Sequence, residues 1–251
     1  MSASVRSYVQ APALLCAAEI TLIIPSYQRP YVWPSEDVVG LLEQIMVACD
    51  TDAPHYYIGT VLTSAVTTRD SGHTHTLYEV IDGQQRMTTL MLLALALTAV
   101  MPDNALTKFI VWNKQPRLTF AIRDEVQRLF AVWAGLEAED NTGRTSESDE
   151  AYITHLAAAR KALADRLGTL RSQRGEAYLA EVAEYLYAKV HWVNNIMPPG
   201  MDLNRLFSTM NNSGVQLEHS DILKSRLLAV IETQKLRFDA IWQACENMED
   251  F

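Results

Sequence analysis

The chain has 251 residues, of which 49% are hydrophobic and 20% are charged. This composition is typical of a folded protein and excludes a wholly disordered chain. The formal net charge of −9 at pH 7 excludes a general nucleic-acid coat, although it leaves room for a local basic groove. Acidic side chains gather in residues 137–150, and basic ones gather between Lys108 and Arg128.

The cysteines and the apolar runs bear on the cellular compartment. Cys16, Cys49 and Cys245 are far apart and form no CxxC pair, so the sequence suggests neither a zinc site nor a disulfide framework. The amino terminus lacks the pattern of a signal peptide. The most apolar run, Leu90–Met101, is shorter than the roughly 20 residues of a membrane span. We therefore expect a cytoplasmic protein that makes no use of a membrane.

The first half of the chain predicts alternating strands and helices. Hydrophobic periodicity and turn residues give strands at Ile20–Ile24, Tyr56–Ser64 and Thr76–Ile81, a helix around Val38–Met46, and a buried helix at Met87–Met101. Gly59 lies inside a predicted strand, which is typical of a bulge or a close backbone approach.

The second half predicts mainly helices. A strand at Arg117–Phe120 and a helix at Asp124–Val132 precede the acidic segment, and helices at Ala151–Leu170 and Glu176–Val190 and a strand at Val190–Ile196 follow it. We predict an α+β fold with three parts: a mixed core at 1–136, an acidic linker or mobile loop at 137–150, and a helical subdomain at 151–251 that completes the pocket.

The sequence Asp82–Arg86, Asp-Gly-Gln-Gln-Arg, lies between a predicted strand and the start of a helix. Helix starts attract phosphate, and Gly83 would let the backbone approach a ligand closely. Arg86 could pair with phosphate, and Asp82 could hold a divalent metal or orient a water. The alternative is a polar turn, in which Asp82 caps the helix and Arg86 pairs with Asp82 or Glu79.

A second motif, Ile24–Trp33, places three aromatic residues and one arginine in a single loop. Aromatic faces stack on bases, and arginine pairs with phosphates. Tyr31 and Trp33 could instead wedge the loop into the core, which we favour for Trp33. For Tyr27, Gln28 and Arg29 we favour a functional role.

A third motif covers Phe207–Leu217, with a positive-φ turn expected at Asn211–Gly214, and continues to Ser220–Lys224. Asp221 and Lys224 are three residues apart, so a local ion pair is the simpler explanation for them. The alternative is that this turn completes the pocket around Asp82. The six histidines form no recognisable metal site, and neither a P-loop nor a G-x-S-x-G elbow is present.

These three motifs together resemble the N-terminal domain of GmrSD-type restriction proteins. The matching stretches are Pro25–Trp33, Val80–Leu90 and Phe207–Lys224, which occur in the same order as in the family. The resemblance implies a ParB/sulfiredoxin-like core with a helical extension. It also implies nucleoside-triphosphate hydrolysis at the Asp-Gly-Gln-Gln-Arg loop, with Mg²⁺ as the expected cofactor.

The resemblance also implies roles for individual residues. Asp82, Gln85 and Arg86 are expected to be catalytic, with Asp82 as the metal ligand. The expected nucleotide-binding residues are Gly83, Gln84, Thr88, Gln28 and Arg29. The charge distribution, rather than the resemblance, gives the expected DNA-binding residues: Arg29, Lys114 and Arg117, with Arg123 beside them, and Tyr27 for its aromatic face.

The expected function is that of an NTPase that senses DNA modification in an antiviral restriction system. Its expected partners are a nucleoside triphosphate, modified or phage DNA, and an HNH-type nuclease domain on this or another chain. A homo-oligomer is left open. The alternative is a non-catalytic ParB-like DNA-binding or interaction module. Direct nuclease action is a weaker third option, because no cluster of histidines or carboxylates is visible.

Overall fold

A computed structural model describes residues 5–70, 73–138 and 147–198, together with isolated positions between 227 and 242. The third sequence motif and most of the acidic linker lie outside the described residues. The predictions made for Phe207–Lys224 therefore stay predictions.

Strands and helices alternate along the described chain. In order they are β1 (Arg6–Gln10), α1 (Pro12–Ala17), β2 (Ile20–Ile24), α2 (Ser35–Asp50), β3 (Tyr56–Asp70), β4 (His73–Asp82), α3 (Gln84–Val100), α4 (Thr107–Ile110), β5 (Val111–Trp112), β6 (Gln115–Pro116), β7 (Leu118–Phe120), α5 (Asp124–Trp133), α6 (Glu147–Arg174), α7 (Glu176–Ala188) and β8 (Val190–Met197). This content confirms the predicted α+β class.

The central sheet has six strands in the order β1-β8-β3-β4-β2-β7. Strands β4, β2 and β7 run parallel to one another, whereas β3 is antiparallel to β4 and parallel to β8. The three parallel strands consequently end at the same side of the sheet, which we call the carboxyl edge. The opposite side, where they begin, is the amino edge.

Helix α3 is the centre of the hydrophobic core. Its residues from Met87 to Leu97 are all buried, because α6 packs on one side and apolar side chains of the sheet pack on another. Helix α6 contributes an apolar stripe whose members recur every three or four residues, as expected for one helix face. The stripe consists of Tyr152, Leu156, Ala159, Leu163, Leu167 and Leu170.

Two parts of the predicted organisation change. Helix α6 begins at Glu147, so the last four residues of the predicted 137–150 linker are helical. Strand β8 lies between β1 and β3, and α6 packs against α3, so residues 151–198 share one core with the amino-terminal part. The helical subdomain that we predicted from local pattern is, over its described residues, part of the main fold. None of the described helices is both long and apolar enough to cross a bilayer.

Candidate functional site

The predicted Asp-Gly-Gln-Gln-Arg turn lies at the carboxyl edge, where β4 ends and α3 begins. Gly83 is the residue between the two elements and has a φ of 91°, in the left-handed region that favours glycine. A Cβ atom at this position would lie 3.0 Å from Cγ2 of Val61 and 3.3 Å from the carbonyl oxygen of Thr60. The turn therefore requires glycine for its conformation and for its close approach to β3.

The start of α3 carries no capping side chain. The carboxylate of Asp82 is half-buried and makes no side-chain hydrogen bond within the described part of the chain. The first N–H groups of a helix lack acceptors within the helix and bear the positive end of its dipole. This helix start can therefore receive an anion, and the alternative in which Asp82 caps the helix is not what the structure shows.

Two arginines flank this helix start, and neither pairs with a carboxylate among the described residues. Arg86 is half-buried, and its Nη1 atom donates a hydrogen bond to the carbonyl oxygen of Thr60. Among the described ion pairs, none joins Arg86 to Asp82 or Glu79, as the polar-turn alternative would require. Arg29 is exposed, and its side chain makes no hydrogen bond within the described ranges.

The loop that carries Arg29, residues 25–33, is fastened to the start of α3 by glutamine side chains. Gln28 donates from Nε2 to the carbonyl oxygen of Ile81 at 2.6 Å, and Gln84 donates from Nε2 to the carbonyl oxygen of Arg29 at 2.5 Å. These bonds hold the exposed Arg29 beside the Asp82 turn. Gln28 and Gln84, which we expected to bind nucleotide, thus use their amide N–H groups inside the protein.

Gln85 has both of its polar groups occupied by the same loop. Its Oε1 atom accepts a hydrogen bond from the N–H of Val32 at 3.0 Å, and its Nε2 atom donates to the carbonyl oxygen of Pro30 at 2.9 Å. The side chain is 8% exposed. Both ends of the Gln85 amide thus contact the 25–33 loop, which gives Gln85 a positioning role in the structure; its expected catalytic role stays a prediction.

Aromatic residues of the 25–33 loop complete this attachment. The hydroxyl of Tyr31 is 2.8 Å from Oγ1 of Thr89, and the Tyr31 ring is fully buried. Trp33 is partly buried against the core, as we predicted. The two residues wedge the loop into the core and leave Tyr27, Gln28 and Arg29 at its turn.

Three buried polar atoms near the turn have no hydrogen-bond partner within the described part of the chain: Oε1 of Gln84, Oγ1 of Thr88 and the hydroxyl of Tyr27. Buried polar groups are almost always paired, so three unpaired polar atoms close to one turn are unusual. The side chain of Thr88 is fully enclosed by protein. This burial argues against the nucleotide contact that we expected for it. For Tyr27, burial raises the pKa well above its usual range, and the charge of Glu79 adds to that rise.

Arg117, which we expected to bind DNA, is buried at the amino edge and is 3% exposed. Its guanidinium donates to the carbonyl oxygens of Phe109, Ile20 and Lys108 at 3.1, 2.7 and 3.0 Å. A guanidinium that is enclosed and occupied in this way cannot reach a DNA phosphate. The prediction is corrected: Arg117 joins α4, β2 and the start of β7.

The other basic residues of the predicted DNA cluster do not form one surface. Arg123 is 5% exposed, and its guanidinium carbon lies 4.8 Å from the ring centre of Tyr152. Lys114 is exposed at the turn between β5 and β6, where its φ is 63°. The structure therefore leaves Lys114 accessible near the amino edge and Arg29 accessible at the carboxyl edge.

The described residues contain no group of three or more histidine, cysteine, aspartate or glutamate side chains that could hold a metal ion. Asp82 is a single carboxylate beside the helix start. Mg²⁺ in phosphate-transfer sites commonly uses one or two carboxylates, with substrate phosphates supplying further ligands. A magnesium ion that arrives with a polyphosphate therefore fits Asp82, whereas a site made wholly of protein ligands does not.

The residue that sequence reasoning missed is Thr60, whose carbonyl oxygen receives Arg86. The available signal was Gly59, because a glycine inside a strand indicated a close backbone approach without saying which group approaches. The pairing of β3 with β8 shifts between Tyr57 and Thr60, which confirms the predicted irregularity.

The fold and site together define a mixed α+β domain with an anion-receptive helix start beside two arginines that have no carboxylate partner in the described ranges. The sequence model of the GmrSD restriction endonuclease N-terminal domain family matches residues 13–228, which is most of the chain. The protein belongs to this family, as the three motifs indicated. No curated protein matches the chain.

Proposed function

We propose that the protein hydrolyses nucleoside triphosphates at the start of α3. Membership of its family makes it a component of a restriction system. The observation that carries the hydrolysis proposal is the pair Arg29 and Arg86, neither with a carboxylate partner among the described residues, beside an uncapped helix start. A polyphosphate would bring the negative charge that this arrangement lacks.

The residues of the turn have complementary roles in this proposal. Arg86 would bind phosphate oxygens and stabilise the charge that develops on them during hydrolysis. Asp82 would orient the attacking water through its carboxylate, which has no other hydrogen-bond partner in the described structure. Gly83 would supply the positive-φ turn that brings the first N–H groups of α3 beside Asp82, where phosphate oxygens would approach them.

We propose Mg²⁺ as the cofactor, held by Asp82 and by the phosphates of the substrate. The support is the chemistry of the available donor, because a carboxylate oxygen is a ligand that Mg²⁺ prefers. When bound, the ion would neutralise phosphate charge. The chain's own contribution would be to hold Asp82 at the end of β4, next to the N–H groups of α3.

We also propose that hydrolysis is coupled to the sensing of modified DNA and controls an HNH-type nuclease domain or partner. This part, like the ParB-like character of the core, rests on the family resemblance. Arg29 and the partly buried ring of Tyr27 are the candidates for the DNA contact at the carboxyl edge, and Lys114 is a separate candidate near the amino edge. Replacement of Arg29 by alanine should flatten the salt dependence of DNA affinity by about 0.9 in log–log slope for each phosphate contact that is lost.

Steady-state phosphate release from the four ribonucleoside triphosphates, with Mg²⁺ and with excess EDTA, tests the hydrolysis. We expect Mg²⁺-dependent turnover by the parent protein and rates lower by about 10²–10³ or more for Asp82→Ala and Arg86→Ala. Nucleotide binding without turnover would favour the non-catalytic alternative instead. A parent protein that neither binds nor hydrolyses any of the four nucleotides would contradict the hydrolysis proposal.

A further inference from the structure

Strand β3 contains a bulge next to the start of α3. Its pairing with β8 changes register between Tyr57 and Thr60, and Gly59 within this interval has a φ of 104°. A bulge bends its strand and redirects the neighbouring groups. Here the redirected group is the carbonyl of Thr60, which receives the Arg86 side chain.

The Arg86 guanidinium occupies the space where residue 59 would carry a side chain. A Cβ atom on Gly59 would lie 3.0 Å from Nη1 of Arg86 and 3.6 Å from its Cζ. Any larger residue at position 59 would have to displace the guanidinium or strain the strand. The lack of a side chain at Gly59 is therefore what lets Arg86 lie across the bulge.

When Arg86 lies across the bulge, most of its N–H donors have no partner among the described residues. A guanidinium has five N–H donors, and one hydrogen bond, to Thr60, is formed with the described residues. No carboxylate among those residues pairs with it. A guanidinium that is fixed through one donor, and whose other donors have no partner among the described residues, is suited to bidentate binding of a phosphate.

We propose that Gly59 is a positioning residue that fixes the guanidinium of Arg86 for a bound polyphosphate. The proposal rests on the proposed function of the α3 start, which it deepens by naming what orients the charged group. In this proposal Gly59 contacts no phosphate, so its effect on phosphate binding passes through Arg86. That requirement makes the proposal testable by combining the two changes.

The experiment compares the parent protein, Gly59→Ala, Arg86→Ala and the double variant. Isothermal titration with inorganic tripolyphosphate measures binding, and thermal unfolding without ligand measures the contact between the two residues. Gly175→Ala is the matched control, because Gly175 also has a positive φ, of 86°, but a Cβ there would meet nothing within 4 Å. If Gly59→Ala does not fold, Gly59→Asn serves, since asparagine tolerates positive φ better.

We expect Gly59→Ala to weaken tripolyphosphate binding at least tenfold, and Gly175→Ala to bind like the parent. In the Arg86→Ala background, Gly59→Ala should cause no further loss of binding and a smaller fall in melting temperature. Parent-like binding by Gly59→Ala, or equal falls in melting temperature in both backgrounds, would overturn the positioning role. A parent protein that binds no tripolyphosphate would instead contradict the proposed function, while the unfolding comparison would still report on the Gly59–Arg86 contact.

Discussion

Arginine serves different purposes at the two edges of the parallel strands. At the amino edge, Arg117 is enclosed and donates to four backbone carbonyl oxygens. At the carboxyl edge, Arg29 has no described partner, and Arg86 has one carbonyl oxygen. A count of basic residues therefore does not locate an anion site. What matters is whether the donors are already used by the protein's own backbone.

The largest expected effect is at the carboxyl edge. Arg86→Ala and Asp82→Ala should each lower the rate of NTP hydrolysis by about 10²–10³ or more, since each removes a preorganised charged group. Their melting temperatures should stay close to that of the parent, because neither side chain belongs to the apolar core. Phosphate-release kinetics and thermal unfolding check the two parts together. A variant with the parent rate and an unchanged melting curve would remove that residue from the site.

At the amino edge the expected result is reversed. Arg117→Ala should lower the free energy of unfolding by about 2–4 kcal/mol, because it leaves buried carbonyl oxygens without donors. For a chain of this size that corresponds to a fall in melting temperature of roughly 5–15 °C. Lys114→Asn is the control: it removes a neighbouring exposed charge, and asparagine accepts the positive φ of that turn. If Lys114→Asn were the more damaging change, the assignment of the two residues would be reversed.

A glutamine of the carboxyl edge can distinguish a positioning role from a catalytic one. Gln85→Ala should lower the free energy of unfolding by about 1–2 kcal/mol and raise KM more than it lowers kcat, since it loosens the loop that carries Arg29. Unfolding measurements and full Michaelis curves test this. A fall in kcat of about 10²–10³ at unchanged KM would restore the catalytic role that the geometry argues against.

The smallest expected effect concerns Glu79, the carboxylate near Tyr27. Burial raises the pKa of Glu79, so the folded state holds a proton more tightly than the unfolded state does. Its ionised form therefore costs stability above the folded pKa, and that cost disappears as the pH falls below the unfolded value. Glu79→Gln should raise the melting temperature by roughly 1–2 °C at pH 7.5 and leave it unchanged near pH 4. A lower melting temperature of the variant at pH 7.5 would show that the ionised carboxylate is stabilised by a partner.

Much of the fold could be read from local pattern. The alternation of β-branched residues predicted β2, β3 and β4, and the continuous apolar run predicted the buried helix α3, because each signal depends on neighbours a few residues apart. The predictions did not include β1, α1, α4, β5 and β6, each of which is short. The role of Gly83 at a strand–helix junction could also be predicted, since that role is largely set by its own backbone conformation.

The chemistry of the polar residues required the tertiary structure. The sequence by itself determined that Asp82–Arg86 follows a strand and opens a buried helix. It also carries the three motifs that indicate the family. Only the tertiary structure decided that Gln85 binds the backbone of the 25–33 loop and that Arg117 binds the carbonyl oxygen of Ile20, 97 residues away. The physical reason is that the identity of a side chain fixes how many hydrogen bonds it can make, whereas distant segments of the chain decide which of those bonds remain free for a ligand.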